Sequence, residues 1–257
     1  CGGIMKIQYA SDLHLEFAEN ASYLKHNPLK VVGDILILAG DIGYLGDQNY
    51  SQHPFWDWAS ENYRQVIVAM GNHEFYKYFD ITTLDNGYIH QIRHNVAAYY
   101  NSVISIGDTD IIVSTLWSEI PREEAAFTER VISDFRRIMY GDDLLTFADF
   151  NREHRKCLDF VKSAVAASNA KHKIVVSHHV PSFRMQCPKF KDSKANGAFI
   201  VELENFIKES DIEYWIYGHS HYNVDVRIGD TLCISNQLGY VFNNEHTTFR
   251  NGAFIEV

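Results

Sequence analysis

At 257 residues the chain is long enough for one large domain or two small ones. Hydrophobic residues make up 46% of it, which supports a real core and excludes a disordered protein. Its 23 Lys and Arg against 33 Asp and Glu leave a formal charge of −10, which speaks against a broad surface for extended nucleic acid. No apolar run reaches the length of a membrane span, and no basic stretch followed by a hydrophobic one opens the chain. A cytoplasmic protein without membrane attachment is expected. Cys1, Cys157, Cys187 and Cys233 form no CxxC pair and read as reduced structural cysteines.

In chain order, Cys1-Gly2-Gly3-Ile4 precedes Met5 and reads as an appended remnant, with Met5 as the natural start. Buried strands are predicted at 6–9, 34–39, 66–70, 111–115, 173–177 and 214–217, where Ile, Val and Leu run together. Further strands are predicted at 224–228, 231–235 and 253–257, the first two joined by a Gly229-Asp230 hairpin. Helices are predicted at 54–63, which opens with Pro, at 146–167, and at 199–209 with Phe199, Leu203, Phe206 and Ile207 on one stripe. Strands alternate with helices early and cluster late, which suggests an α/β sandwich and not a simple doubly wound sheet. Without repeats or a Pro/Gly/Ser linker, a single domain over 5–257 is the economical reading. The stretches 75–100 and 118–145 look like insertions. The second is charged and reads as a solvated helix face in preference to a substrate cap.

The chemistry follows the strands. The first is followed by Ser11-Asp12-Leu13-His14, the second by Gly40-Asp41 and the third by Gly71-Asn72-His73-Glu74. The strand at 173–177 leads to His178-His179, and that at 214–217 to Gly218-His219-Ser220-His221. Strand carboxyl ends are where α/β proteins bind ligands. Carboxylate, amide oxygen and neutral imidazole suit Mn, Fe, Zn or a similar divalent ion. In an extended segment, residues two apart point the same way, so Asp12 and His14 are expected to grip one ion together, as are His219 and His221. Any one of these pieces is weak alone; five in this order are not.

This series closely resembles the calcineurin-like metallophosphoesterases, from Met5 to about Tyr240. The resemblance implies a metallophosphoesterase-type four-layer α/β sandwich, with two packed mixed β-sheets flanked by helices. It implies two divalent metal ions: Asp12, His14, Asp41 and His221 would hold one, Asp41, Asn72, His178 and His219 the other, with Asp41 bridging. It further implies hydrolysis of a phosphate ester by a hydroxide bridging the ions, with His73 as a catalytic residue and not a ligand. Glu74 is expected to hold His73, and His179 to support His178 or simply to be buried. Arg184, in a Lys- and Arg-bearing loop over 182–197, is a candidate for steering an anionic substrate. A phosphorylated small molecule or nucleotide, diester or monoester, is the favoured substrate. A protein phosphatase or nuclease of the same family is the alternative. A non-catalytic scaffold would be expected to lose ligands or the motif histidine, and here all eight residues are present.

Overall fold

The computed structural model describes residues 3–257, so Cys1 and Gly2 of the expected remnant lie outside the described residues. The strands of the first half are β1 (Lys6–Ala10), β2 (Ile35–Leu38), β3 (Gln65–Ala69), β4 (Phe79–Asp80), β5 (Tyr88–Arg93), β6 (Val96–Tyr100), β7 (Ser102–Ile106) and β8 (Thr109–Ser114). Those of the second are β9 (Ile138–Tyr140), β10 (Asp143–Leu144), β11 (His172–Ser177), β12 (Tyr214–Ile216), β13 (Val226–Ile228), β14 (Thr231–Ile234) and β15 (Phe254–Glu256). The α-helices are α1 (Ala18–His26), α2 (Pro54–Asn62), α3 (Ala125–Val131), α4 (Asp134–Arg137), α5 (Phe147–Ala167) and α6 (Glu204–Glu209).

Two six-stranded sheets dominate, in the orders β15-β1-β2-β3-β6-β5 and β13-β14-β12-β11-β8-β7. Each has a central parallel quartet and an antiparallel strand at either edge. The parallel strands are buried on both faces, which is why they read as unbroken apolar runs. Alternation still sorts the faces. Ile35 and Ile37 of β2 meet Ile111, Val113, Ile174 and Val176 between the sheets. Leu36 and Leu38 instead face a second core with Leu24 of α1 and Trp56 and Ala59 of α2. Across the molecule, Val175 and Trp215 pack outward against Val161 and Val165 of α5 and Ile207 of α6. The layers therefore run helix, sheet, sheet, helix, as the resemblance implied.

The stretch 75–100 supplies β5 and β6, which complete the first sheet. Together with 118–145 it also builds a small third sheet, β10-β9-β4. The helix predicted at 199–209 is shorter, because only Glu204–Glu209 is helical. Phe199 leaves the stripe to stack on His219, with ring centroids 4.4 Å apart. Helix α5 begins where predicted: the Thr146 side chain accepts from Asp149 N, and Asp149 accepts from Thr146 N, a reciprocal cap. Among the described residues no helix is long and apolar enough to cross a membrane, and Cys157, Cys187 and Cys233 are free thiols.

Candidate metal centre

The expected donors converge at the carboxyl ends of β1, β2, β3, β11 and β12, but not through extended backbone. Asp12, His14, Asp41, His219 and His221 have φ of 53, 47, 57, 72 and 52°, the left-handed region that L-residues avoid at about 1–2 kcal/mol each. The period-two expectation for Asp12 and His14, and for His219 and His221, is thus corrected. Tight left-handed turns, not a pleated strand, bring these side chains together. Backbone hydrogen bonds hold the turns, including Asp12 N to Gly40 O at 2.9 Å and His14 N to Asp41 O at 3.0 Å. Two glycines make room. A Cβ on Gly71 would lie 2.2 Å from Asp41 Oδ1, and one on Gly218 would lie 2.6 Å from Asp12 Oδ2.

Among the described residues, three groups of side chains lie close enough to hold an ion: Asp12–His14–His221, Asp41–His178–His219, and His14–Glu16–His73, which shares His14 with the first. In the first, His14 Nδ1 donates to Glu16 at 2.8 Å and His221 Nδ1 to Glu245 at 2.9 Å. These bonds leave the two Nε2 atoms facing each other at 3.0 Å. Asp12 Oδ1 is 3.2 Å from His221 Nε2, yet is buried and accepts no hydrogen bond. In the second set, His178 Nδ1 donates to Ala39 O at 2.7 Å and His219 Nε2 to Ala198 O at 3.1 Å. That turns His178 Nε2 and His219 Nδ1 inward. Asn72 Oδ1 lies 3.1 Å from His178 Nε2. Asp41 Oδ2 lies 3.2 Å from His178 Nε2 and 3.7 Å from His14 Nε2, so it stands between the sets.

Converging imidazole lone pairs around buried carboxylate oxygens repel one another unless a cation lies among them. The donor set is all oxygen and nitrogen, and it fits a borderline divalent ion such as Mn, Fe or Zn. The surroundings favour ionised carboxylates. Burial pushes Asp12 upward, but His14 and His221 outweigh it and hold the carboxyl well below its usual range. Burial likewise opposes ionisation of Asp41, and His178 and His73 overcome it. His178, despite burial, is lifted to about 9 by Asp41, whereas burial and the charge of His178 press His219 down to about 3.

His73 belongs to the third group alone, with Glu16 and His14. Its Nδ1 donates to Glu16 Oε1 at 2.9 Å, its ring stacks on Tyr76 at 4.3 Å, and Nε2 is 4.0 Å from Asp41 Oδ2. The carboxylate that holds His73 is therefore Glu16 and not Glu74, a correction. Facing His14 and His73, and against the effect of burial, Glu16 is held down at about 2. Glu74 instead accepts from the backbone N–H groups of Asp41, Ile42, Gly43 and Gly71 at 2.6–3.0 Å. It clamps the Asp41 turn to the loop after β3. His179 is fully buried and touches His219 at a ring distance of 4.3 Å. Its Nδ1 is 3.2 Å from Thr115 O, and it makes no hydrogen bond to His178.

A cavity of about 520 Å³ opens over the donors. Its walls include Phe17, Tyr44, Tyr76, Phe199 and Tyr240, and Arg137 is the one Lys or Arg among its described lining residues. Val131, Ile132, Ser133, Asp134 and Arg137 also line it, so the 118–145 stretch walls the cavity over the donors and is more than a solvated face. Arg184 does not reach the cavity. It is exposed and pairs with Glu204 at 3.4 Å, because its loop turns the side chain outward. The same loop contributes Gln186, Cys187, Phe190 and Asn196 to the lining. Glu16, Asp134 and Glu245 were missed in the sequence. Glu16 lies two residues past His14, a faint signal; Asp134 and Glu245 carry none, being far along the chain from the residues they touch.

The family model described as calcineurin-like phosphoesterase matches residues 5–223. Uncharacterized protein L509 of Acanthamoeba polyphaga mimivirus is 26% identical over 277 residues, spanning 98% of this chain and 96% of that protein. Among solved structures, the phosphopantetheinyl hydrolase PptH of Mycobacterium tuberculosis superimposes with a TM-score of 0.71 at 14% identity, covering 98% of this chain and 95% of that one.

Proposed function

The chain belongs to the calcineurin-like phosphoesterases, and from that premise we propose that it hydrolyses a phosphate ester of a small molecule or nucleotide. Asp12, His14, Asp41 and His221 would hold one divalent ion, and Asp41, Asn72, His178 and His219 a second. The observation that carries the reading is the 3.0 Å approach of His14 Nε2 to His221 Nε2 beside an Asp12 oxygen that accepts no hydrogen bond. Two bound ions supply Lewis acidity toward water and the phosphoryl oxygens.

The protein's own groups do the rest. Glu16 fixes His73 through Nδ1, which points Nε2 at the cavity, where a proton can pass to the departing ester oxygen. Tyr240, whose hydroxyl lies 3.5 Å from His73 Nε2, flanks that position. Tyr44, Tyr76, Phe17 and Phe199 wall the cavity with aromatic surface and limit water around the ester. A lining with Arg137 as its one described cation suits a single phosphate better than a polyanion. That favours a small substrate over a nucleic acid.

The test is a panel of monoesters, diesters, cyclic nucleotides, oligonucleotides and a phosphoprotein, offered to protein reconstituted with Mn²⁺. A phosphopantetheinyl diester belongs in it, since PptH has this fold over the same length. Hydrolysis confined to small esters is expected. Protein that carries close to two ions per chain but cleaves nothing in the panel would overturn the proposal and leave a binding scaffold.

A further inference from the structure

Asp134 opens helix α4, 62 residues beyond Asn72, and is fully buried. Its Oδ1 accepts from Asn72 Nδ2 at 2.8 Å and from the Tyr76 hydroxyl at 2.7 Å. Its Oδ2 is buried and accepts no hydrogen bond from any described residue, although Asp134 lines the cavity. On the facing loop, Gln186 lines the same cavity, and its Nε2 is a buried donor with no acceptor. Buried polar atoms without partners are rare, because each costs about 1–3 kcal/mol. Asp134 and Gln186, from two separate chain segments, thus both line this cavity with an unpartnered polar atom each, and Asp134 also holds the proposed ligand Asn72.

We infer that the cavity reads a hydroxyl group carried close to the scissile phosphate, with Asp134 accepting its hydrogen and Gln186 donating to a neighbouring oxygen. The substrate class is a polyol, sugar or nucleoside phosphate, in contrast to a plain alkyl or aryl ester. Carboxylates commonly take the hydroxyls of such groups, as an acidic residue takes the ribose in dinucleotide sites. The inference rests on the proposed phosphoesterase reading. Asp134 is a specificity determinant here and takes no part in bond making or breaking.

The test uses two phosphonates, which the enzyme cannot hydrolyse: 2,3-dihydroxypropylphosphonate and propylphosphonate. Calorimetry on metal-loaded protein should show the dihydroxy compound binding more tightly by roughly 10- to 100-fold, the contribution of a charge-assisted hydrogen bond. Asp134→Asn keeps an oxygen for Asn72 and Tyr76 and replaces Oδ2 by an amide nitrogen. It should abolish most of the preference while metal content stays at the wild-type level. Equal binding of both phosphonates by the wild type would overturn the inference. So would an Asp134→Asn variant that weakens both alike, since Asp134 would then act only through Asn72. Should that variant fail to fold, Gln186→Met must narrow the preference, and an unchanged preference overturns the inference. Because binding is read without turnover, a hydroxyl preference in a protein that cleaves nothing would leave this inference standing and remove the proposed hydrolysis.

Discussion

Glu16 Oε1 receives both His14 Nδ1 and His73 Nδ1, so one carboxylate sets the ring orientation of a proposed ligand and of the proposed proton donor. His73→Ala should keep metal content near wild type and lower turnover by about 10²–10⁴. The loss should shrink for nitrophenyl esters, whose leaving group needs no proton, and grow for alkyl esters. Metal analysis beside steady-state rates on both ester types checks this. A stripped ion would make His73 a ligand, and undiminished rates on both would make it structural. The glycines act differently. Gly218→Ala places a methyl 2.6 Å from Asp12 Oδ2 and 2.8 Å from Ser11 Oγ, and should lower metal content with little effect on circular dichroism. Retention of full metal content would mean that the turn shifts freely. The donors were legible in the sequence because they repeat the family's motifs. The carboxylates that orient them were not: Glu16 lies beside the Asp12–His14 motif but outside it, and Asp134 and Glu245 reach the site only through tertiary packing.

Elements were legible where their residues answer to one demand. Parallel strands such as β2 and β11 are apolar on both faces, and α5 declares its start with Thr146 and Asp149. Elements that answer to two demands were misread. Phe199 fits a helical stripe but packs on His219, and β5 carries polar residues such as His90, Gln91 and Arg93 at a sheet edge. The left-handed turns were not legible because Asp and His, though they enter that region more readily than most L-residues, still adopt it only rarely; the packed strand ends impose them. Helix α5 is 21 residues long and covers the second sheet. Thr146→Ala removes its reciprocal cap and should cost about 1 kcal/mol, a fall of about 2–4 °C in Tm for a chain of this size. Calorimetric melting with unaltered metal content is the expected outcome; no change in Tm would show that the cap is redundant with the packing of Phe150.

The whole molecule divides its donors between its halves. Asp12, His14, Asp41 and Asn72 follow strands of the first sheet, and His178, His219 and His221 follow strands of the second. Chelation should therefore weaken the union of the sheets as well as abolish hydrolysis. At a hundredfold excess over its Kd, each ion adds about 2.7 kcal/mol to stability, so removal should depress Tm by several degrees, and re-addition of Mn²⁺ should restore it. A melting temperature indifferent to chelator would mean that the sheets hold without help.

That division gives the left-handed turns another meaning. Each proposed ion would be a rivet through the seam between two sheets, with tolerances of a few tenths of an ångström set by the strained turns on either side. A substitution between the sheets, such as Ile37→Ala or Ile174→Ala, removes no donor but changes how one sheet rests on the other. Metal affinity then becomes a gauge of that alignment. It should slacken in such variants before secondary structure or compactness registers any change, and ion titration across a set of interior variants would trace which contacts keep the two halves in register.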